Sequence, residues 1–224
     1  MTDRTPKPQQ FDLIVFDWDG TLFDSTALIT RCIQASCADL GVPAPSDRDA
    51  SYVIGLGLQD ALQHAAPSLP ADRYRELGLR FRHHYMARQH ELLLFDGTLE
   101  LLLALKERRH LLAVATGKTR LGLDDVLASV RLRGLFDATR TADETASKPH
   151  PRMLLELMRE LGTDPQRTLM IGDTTHDLQL AANAGAASVA VSYGAHEPEA
   201  LAGLAPRHMA HSVAELRAWL FEHA

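Results

Sequence analysis

The sequence predicts an α/β protein, a doubly wound parallel sheet with a helical subdomain inserted after the first strand. Three observations carry this prediction. Short continuous apolar runs recur along the chain, helical patterns alternate with them, and the stretch from about 24 to 94 holds helical periodicity without a convincing strand run. Strands that alternate with helices in this way are typical of a parallel sheet covered on both faces.

The predicted strands are apolar runs without polar alternation, as expected when helices cover both faces of a sheet. The first is the run LIVF at 13–16, which Asp17 ends. Similar runs occur at 111–115, 169–171 and 188–191. These four segments are therefore expected to form the buried centre of the sheet.

Helices are predicted between these strands, because apolar residues recur there at spacings of three and four. The clearest patterns lie at 99–105, 153–161 and 178–185. Pro151 before the second pattern and Gly162 after it are typical of the start and the end of a helix.

The inserted subdomain is predicted to hold a helix over 25–40, a segment at 58–65 and a long helix from 70 to about 92. The turn between the first two contains glycine and proline. The predicted division of the chain is a discontinuous core of residues 11–23 and 95–224, a helical domain of residues 24–94 and a flexible tail of residues 1–10.

Composition excludes several classes of protein. The chain has 224 residues, of which 46% are hydrophobic and 23% charged, as in ordinary globular domains. A net charge of −6 argues against binding to nucleic acid. The sequence has neither an apolar run long enough to span a membrane nor an apolar stretch near its start. Its two cysteines, Cys32 and Cys37, cannot build a disulfide framework. We expect a cytoplasmic protein that acts on neither nucleic acid nor membranes.

Two carboxylates follow the first predicted strand. Asp17 and Asp19 are two residues apart, so in a continuing strand both side chains point to the same face, where ligands bind in such sheets. Paired carboxylates can divide two tasks, one as nucleophile or metal ligand and the other as proton carrier. The alternative is that Asp19 and Gly20 only supply the residues of a turn.

A second acidic pair, Asp173 and Asp177, follows the predicted strand at 169–171. If a helix starts there, the two carboxylates lie on one side of its first turn, where oxygen ligands can hold a hard divalent cation. Acids in a first turn also cap helices. Capping alone does not explain why two strand ends each carry two acids.

Two further sites carry groups that bind anions. Thr116, Gly117 and Lys118 follow the run at 111–115, and Lys148 precedes the helix that starts at Pro151. A hydroxyl, backbone amides and an ammonium group together bind phosphate oxygens. For Lys148, the alternative is a solvated surface lysine.

Together these sites resemble the haloacid dehalogenase superfamily in its phosphatase branch. The run DWDGTL at 17–22 resembles the first motif of that family, Thr116 the second, Lys148 the third and the run GDTTHD at 172–177 the fourth. The segment SYGAH at 192–196 is similar to the phosphoglycolate phosphatase subgroup. The match extends over nearly the whole chain, and the order of the motifs makes it specific.

The resemblance implies a Rossmann-like core and a mechanism. Asp17 would be the nucleophile that forms an aspartyl-phosphate, and Asp19 the general acid and then the general base. Mg²⁺ would be held by the Asp17 carboxylate, the Asp19 backbone carbonyl and Asp173. Asp177 would bind the metal through water or support Lys148. Thr116 would hold the transferring phosphoryl group in line.

The inserted helices resemble the helical cap of that superfamily, which closes over the site and reads the substrate. The segment at 54–58 is similar to the cap loop that faces the active site, so Gly55 and Leu56, together with Gly117 and Lys118, are candidate substrate-binding residues. The alternative is that the glycines of this segment only form a turn between two cap helices.

Cations and histidines near the site have two interpretations. The long cap helix carries many arginines and histidines, which would make an electropositive lid or, more simply, a solvated helix face. His150 and His176 lie within the motif regions, where they can touch substrate or serve as ordinary structural residues.

The expected function is Mg²⁺-dependent hydrolysis of a small phosphorylated metabolite, with phosphoglycolate as the leading substrate by resemblance. Asp19 together with Asp173 argues against a carbon–halogen dehalogenase. A phosphosugar mutase, a pyrophosphatase and a binding protein without turnover stay open as alternatives, and the sequence does not distinguish a monomer from a homodimer.

Overall fold

The computed structural model describes residues 9–130 and 132–224. Of the predicted tail, residues 1–8 lie outside the described residues, and Nε2 of Gln9 lies 2.6 Å from Nδ1 of His110. None of the helices in the described part of the chain is both long and apolar enough to cross a membrane.

Among the residues that the structure describes, six parallel strands form one sheet at the centre of the protein. In chain order they are β1 (Leu13–Phe16), β2 (Leu111–Thr116), β3 (Ala138–Thr141), β4 (Thr168–Gly172), β5 (Ala187–Val191) and β6 (Met209–Ala210). The spatial order is β3-β2-β1-β4-β5-β6, so the chain reverses its direction of winding at β1. The doubly wound, Rossmann-like fold expected from the sequence is confirmed.

The described part of the chain contains ten α-helices, which cover the sheet or form the helical insertion. They are α1 (Thr26–Asp39), α2 (Asp47–Tyr52), α3 (Leu58–Ala65), α4 (Tyr74–Arg88), α5 (Thr98–Glu107), α6 (Arg120–Ser129), α7 (Arg152–Leu161), α8 (Thr175–Ala184), α9 (Pro198–Ala202) and α10 (Val213–His223). As the sequence indicates, Pro151 precedes α7, and Gly162 ends it with a left-handed φ of 66°.

Alternate strand residues supply two hydrophobic cores. Leu13 and Val15 pack with α7 and α8 on one face, whereas Ile14 and Phe16 pack with α5, α6 and α10 on the other. All four side chains are fully buried. Both faces of β1 are therefore covered, which explains its continuous apolar sequence.

The segment of residues 26–91, from α1 to the short 3-10 helix that follows α4, is described completely, and its regular elements are all helical. Its helices build two smaller hydrophobic clusters, one around Ile33 and Ile54 and one around Leu62 and Leu77. This helical insertion leaves the sheet after β1 and returns before α5. It therefore lies next to the carboxyl end of β1.

Candidate active site

Three neighbouring strands deliver the predicted site residues to one edge of the sheet. Asp17 follows β1, Thr116 is the last residue of β2, and Asp173 follows β4. β1 pairs with both β2 and β4 in parallel register. The carboxyl ends of these strands therefore meet, at the position where doubly wound sheets bind ligands.

Three carboxylates and one ammonium group form a buried cluster at this edge. Carboxylate oxygens of Asp17, Asp173 and Asp177 lie within 4.8 Å of one another. Nζ of Lys148 lies 2.7 Å from Oδ1 of Asp17 and 2.6 Å from Oδ1 of Asp177. Lys148 comes from the loop before α7 and is only 1% exposed, so the structure does not support the alternative of a solvated surface lysine.

The electrostatics of the cluster follow from burial and crowding. Burial, with Asp177 and Asp173 nearby, raises the pKa of Asp17 well above its usual range, although Lys148 opposes this. Burial and Asp177 raise the pKa of Asp173 to about 7. Burial alone would lower the pKa of Lys148, but Asp17 and Asp177 outweigh it and raise that pKa. The cluster therefore has an excess of negative charge that a cation would relieve.

The donor set fits a hard divalent metal ion. Apart from the ion pair with Lys148, neither carboxylate oxygen of Asp17 has a hydrogen-bond donor among the described residues. Buried polar atoms without partners are costly and usually mark a missing ligand, ion or water. Because carboxylate oxygens are the preferred ligands of hard cations, the buried acidic cluster could bind a metal ion.

Asp173 is held by two other segments of the chain, at Gly20–Thr21 and at Gly194–Ala195. Oγ1 of Thr21 donates to its Oδ1 at 2.8 Å, and the backbone N–H of Ala195 donates to its Oδ2 at 2.7 Å. A Cβ on Gly20 or Gly194 would lie 2.1 or 2.2 Å from that Oδ2. The glycines therefore make room for the carboxylate, and the two donors fix its orientation.

Asp177 both caps a helix and belongs to the cluster. Thr174 is the N-cap of α8, and its side chain and that of Asp177 form a reciprocal capping box. Oγ1 of Thr174 donates to Oδ2 of Asp177 at 2.7 Å, which leaves Oδ1 of the same carboxylate for Lys148. Capping thus sets the geometry of the site. Asp177 is both a helix-capping residue and a member of the carboxylate cluster.

Asp19 lies outside this carboxylate cluster and has its own cation. Nζ of Lys118 lies 3.0 Å from its Oδ1, and the hydroxyl of Ser25 donates to the same oxygen at 2.6 Å. Lys118 also donates to the hydroxyl of Tyr85 in α4 at 3.1 Å. Burial alone would lower the pKa of Lys118, but Asp19 and Tyr85 raise it overall. This pair of charges joins the core to the helical insertion.

Comparison with known proteins assigns the family. The model of the haloacid dehalogenase-like hydrolase family matches residues 14–191. This chain belongs to that family. A probable phosphatase named IndB from Dickeya dadantii is 34% identical over 91% of each chain. A phosphoglycolate phosphatase of Agrobacterium fabrum is 32% identical, over 87% of this chain and 84% of its own. The expected phosphoric monoester hydrolase of this family is thereby confirmed.

Solved structures support the same assignment. A predicted phosphoglycolate phosphatase from Haemophilus somnus superimposes with a TM-score of 0.81 at 27% identity. The alignment covers 94% of this hydrolase and 98% of that chain. The helical insertion is therefore included in the similarity along with the sheet.

The loop between α2 and α3 contacts the strand ends of the hydrolase. A Cβ on Gly117 would lie 2.3 Å from the carbonyl oxygen of Leu56 and 2.7 Å from that of Gly55. The N–H of Gly57 donates to Oγ of Ser147 at 2.8 Å. The loop is both a turn between helices and a contact with the phosphate-binding segments predicted from the sequence.

Thr116 is buried at the end of β2, beside this loop. Its Oγ1 accepts the N–H of Lys118 at 3.2 Å. The hydroxyl proton of Thr116 is therefore free of that bond and can be donated to an incoming oxygen.

Two histidines of the hydrolase connect the site loops to the insertion. Nε2 of His176 lies 2.8 Å from the carbonyl oxygen of Tyr52, and Nε2 of His196 lies 3.0 Å from the same oxygen. Burial lowers the pKa of both rings. His150 is exposed, and its Nδ1 accepts a hydrogen bond from the N–H of Arg152, so it stabilises the start of α7.

The arginines at the two ends of α4 are half-exposed, which favours a solvated helix face over an electropositive lid. Arg73 pairs with Glu76, and Arg88 pairs with Glu91, in both cases between half-exposed side chains. Such pairs contribute little to stability or to the field at a buried site.

Sequence reasoning missed several residues that hold the site together. These are Thr21, Ser25, Tyr85 and the backbone of Ala195. Thr21 lies inside the first motif, so its position was a usable signal. Ala195 lies inside the segment SYGAH at 192–196, so its position was a usable signal as well. Ser25 and Tyr85 give no signal in the sequence, because what matters is which segment reaches the site from a distance.

Proposed function

We propose that the protein hydrolyses a small phosphate monoester, with Mg²⁺ and through an aspartyl-phosphate on Asp17. The observation that carries this proposal is the carboxylate of Asp17, which is buried, accepts no hydrogen bond from the described residues and lies beside Lys148 and two further carboxylates. Relatives that are named phosphatases support the same reaction class.

Mg²⁺ would be held by the carboxylates of Asp17 and Asp173 and by the backbone carbonyl of Asp19. Asp177 would act on the metal through water or, as its contact with Lys148 favours, position that lysine. When bound, the metal neutralises charge, so that a carboxylate can approach a phosphate dianion.

The reaction then proceeds in two displacements. An oxygen of Asp17 attacks the phosphorus atom, the ester P–O bond breaks, and Asp19 gives its proton to the leaving oxygen. Asp19 next takes a proton from a water molecule, which attacks the phosphorus atom and releases Asp17. Lys148 and Thr116 bind the phosphoryl oxygens during both displacements.

The helical insertion acts as a cap in this proposal. Its loop at Gly55 and Leu56 meets Gly117, and its Tyr85 meets Lys118, so closure completes the site and excludes water. The partner is a small phosphorylated metabolite in the cytoplasm, not nucleic acid or a membrane. The cap needs no second subunit, so the proposal holds for a monomer and for a homodimer.

The test is phosphate release from phosphoglycolate, sugar phosphates, nucleotides and pyrophosphate, with Mg²⁺ and with EDTA. We expect release that needs Mg²⁺. Asp17→Asn should lower kcat by about 10⁴-fold or more, because an amide is not a nucleophile, while the fold is retained.

Asp24→Asn is the matched control, since Asp24 is an exposed carboxylate near the same strand end. It should keep wild-type activity. Wild-type turnover in Asp17→Asn would overturn the mechanism at its first step. Preference for pyrophosphate, or transfer between sugar positions without phosphate release, would favour a pyrophosphatase or a mutase instead.

A further inference from the structure

The active site continues into a cavity of about 220 Å³ between the helical insertion and the strand ends. Asp19 and Lys118 line it, together with Gly55, Leu56 and Gly117, whereas the carboxylates of the metal cluster do not. In the proposed reaction Asp19 gives its proton to the leaving oxygen. The part of the substrate that leaves with that oxygen must therefore lie on the side of Asp19, in this cavity.

The walls of the cavity are mainly apolar, with Gln89 and Thr119 as uncharged polar residues among them. They are built by four elements of the insertion and include Ile29, Ile33, Ile54, Leu62, Phe81 and Tyr85. The rings of Phe81 and Tyr85 stack with centroids 5.9 Å apart and present an aromatic surface. Such walls favour a hydrocarbon or aromatic group over a polar one.

Four charged residues line the cavity. Asp19 is buried and paired with the half-buried Lys118, and Arg82 and Asp125 are exposed to solvent. Lys118 is already engaged by Asp19 and by the hydroxyl of Tyr85. The carboxylate of a short acid attached to the phosphate would therefore compete with Asp19 for this ammonium group or lie among apolar side chains, where an unpaired charge is costly. A two-carbon leaving group would also leave most of the cavity unfilled, since an apolar cavity of about 150 Å³ already accommodates benzene.

We propose that the preferred substrate is a phosphate monoester whose leaving group is predominantly apolar and as large as a ring or a six-carbon chain. This inference rests on the proposed function for the direction of the leaving group. The substrate class follows from the apolar residues that line the cavity. These residues also make phosphoglycolate a poor substrate of this particular chain.

The test compares ethyl, butyl and hexyl phosphate with phosphoglycolate, because the three alcohols have similar acidity and differ in apolar length. We expect kcat/KM to rise by up to about fourfold for each methylene, which corresponds to about 0.8 kcal/mol for each buried CH₂. Equal values along the series, or faster turnover of phosphoglycolate than of hexyl phosphate, would overturn the inference and leave the proposed function standing.

A variant that fills the cavity sharpens the test. Ala61 of α3 lines the cavity and is buried, so Ala61→Phe should reduce the ratio of hexyl to ethyl phosphate turnover toward one. Ala87→Phe is the matched control, because Ala87 is an exposed alanine of α4 that does not line the cavity. The inference requires the ratio to fall in the first variant and to stay at the wild-type value in the second.

A binding measurement distinguishes a failure of this inference from a failure of the proposed function. Alkyl phosphonates cannot be hydrolysed, and calorimetry on the wild-type protein with Mg²⁺ should give a tighter Kd for hexylphosphonate than for ethylphosphonate. Tighter binding of the longer compound without phosphate release from any ester would overturn the proposed function alone. Equal affinity for the two phosphonates would overturn the inference even if the enzyme releases phosphate.

Discussion

Lys148 and the carboxylates around it stabilise one another by balancing their charges. The lysine is buried, and its ammonium group contacts two of the three clustered carboxylates, Asp17 and Asp177. An ammonium in this position costs solvation energy, which the two carboxylates offset. Lys148 therefore stabilises the cluster as well as offering a positive charge to a phosphate.

Lys148→Met should destabilise the protein by about 3–5 kcal/mol at pH 8, because it leaves buried carboxylates without their counter-charge. The loss should be smaller at pH 5. Asp17 has a raised pKa and that of Asp173 is raised to about 7, so both take up protons at the lower pH and the repulsion falls. Urea unfolding at the two pH values measures the difference.

Lys106→Met is the control for this change. Lys106 pairs with Asp137 at 2.7 Å, but both side chains are about one-third exposed. Its replacement should cost about 1 kcal/mol or less at either pH. A loss for Lys148→Met that is as small as for Lys106→Met would contradict the account of the cluster.

At the scale of elements, the N-terminus of α8 combines folding and function. Thr174 caps the helix and holds Oδ2 of Asp177, while Oδ1 of Asp177 holds Lys148. A helix start that would exist for stability alone thus also orients the lysine of the site. Other N-caps, such as Ser212 of α10, have no such second task.

Thr174→Ala and Ser212→Ala should each cost about 1 kcal/mol of stability, because each removes a side chain that accepts a backbone N–H. Only Thr174→Ala should lower kcat/KM, by about 10–100-fold, as expected for a residue that orients groups at a metal site. Thermal unfolding and phosphate release measure the two effects. Equal losses of activity in both variants would mean that activity follows helix stability and not the orientation of Asp177.

At the scale of the whole molecule, the buried carboxylate cluster makes the free energy of unfolding depend on pH. Burial gives Asp173 a folded-state pKa of about 7 against a usual 3.8. Between these values the native state holds more protons than the unfolded state, so the stability of the metal-free protein falls as the pH rises through this range. Above it, the ionised carboxylates are ready to bind a cation.

Mg²⁺ should therefore raise the Tm more at pH 8 than at pH 5. Metal at 100 times its Kd adds about 2.7 kcal/mol, which for a chain of this size corresponds to roughly 5–10 °C. Differential scanning calorimetry with and without Mg²⁺ measures the shift, and Asp173→Asn should reduce it at pH 8. A shift that is independent of pH, or unchanged in Asp173→Asn, would contradict the assignment of the cation site.

Much of the fold follows from local patterns in the sequence. The strands β1, β2, β4 and β5 are predicted because both of their faces are buried and their sequences are continuously apolar. Strand β3 is missed, because its sequence ATRT is half polar, in keeping with its place at an edge of the sheet. The two-residue strand β6 is too short to give any pattern.

The sequence by itself determined which candidate site residues gather at one edge of the sheet. Asp17, Thr116 and Asp173 each lie at or directly after the end of a buried strand, and parallel strands bring such positions to one edge. Tertiary structure decided their partners. Thr21 and Asp173 are 152 positions apart in the chain, and Lys118 and Tyr85, which are hydrogen-bonded, are 33 positions apart. It also decided the cavity, whose walls come from separate helices. Local periodicity specifies an element and its buried face, but only packing specifies which distant side chain reaches it.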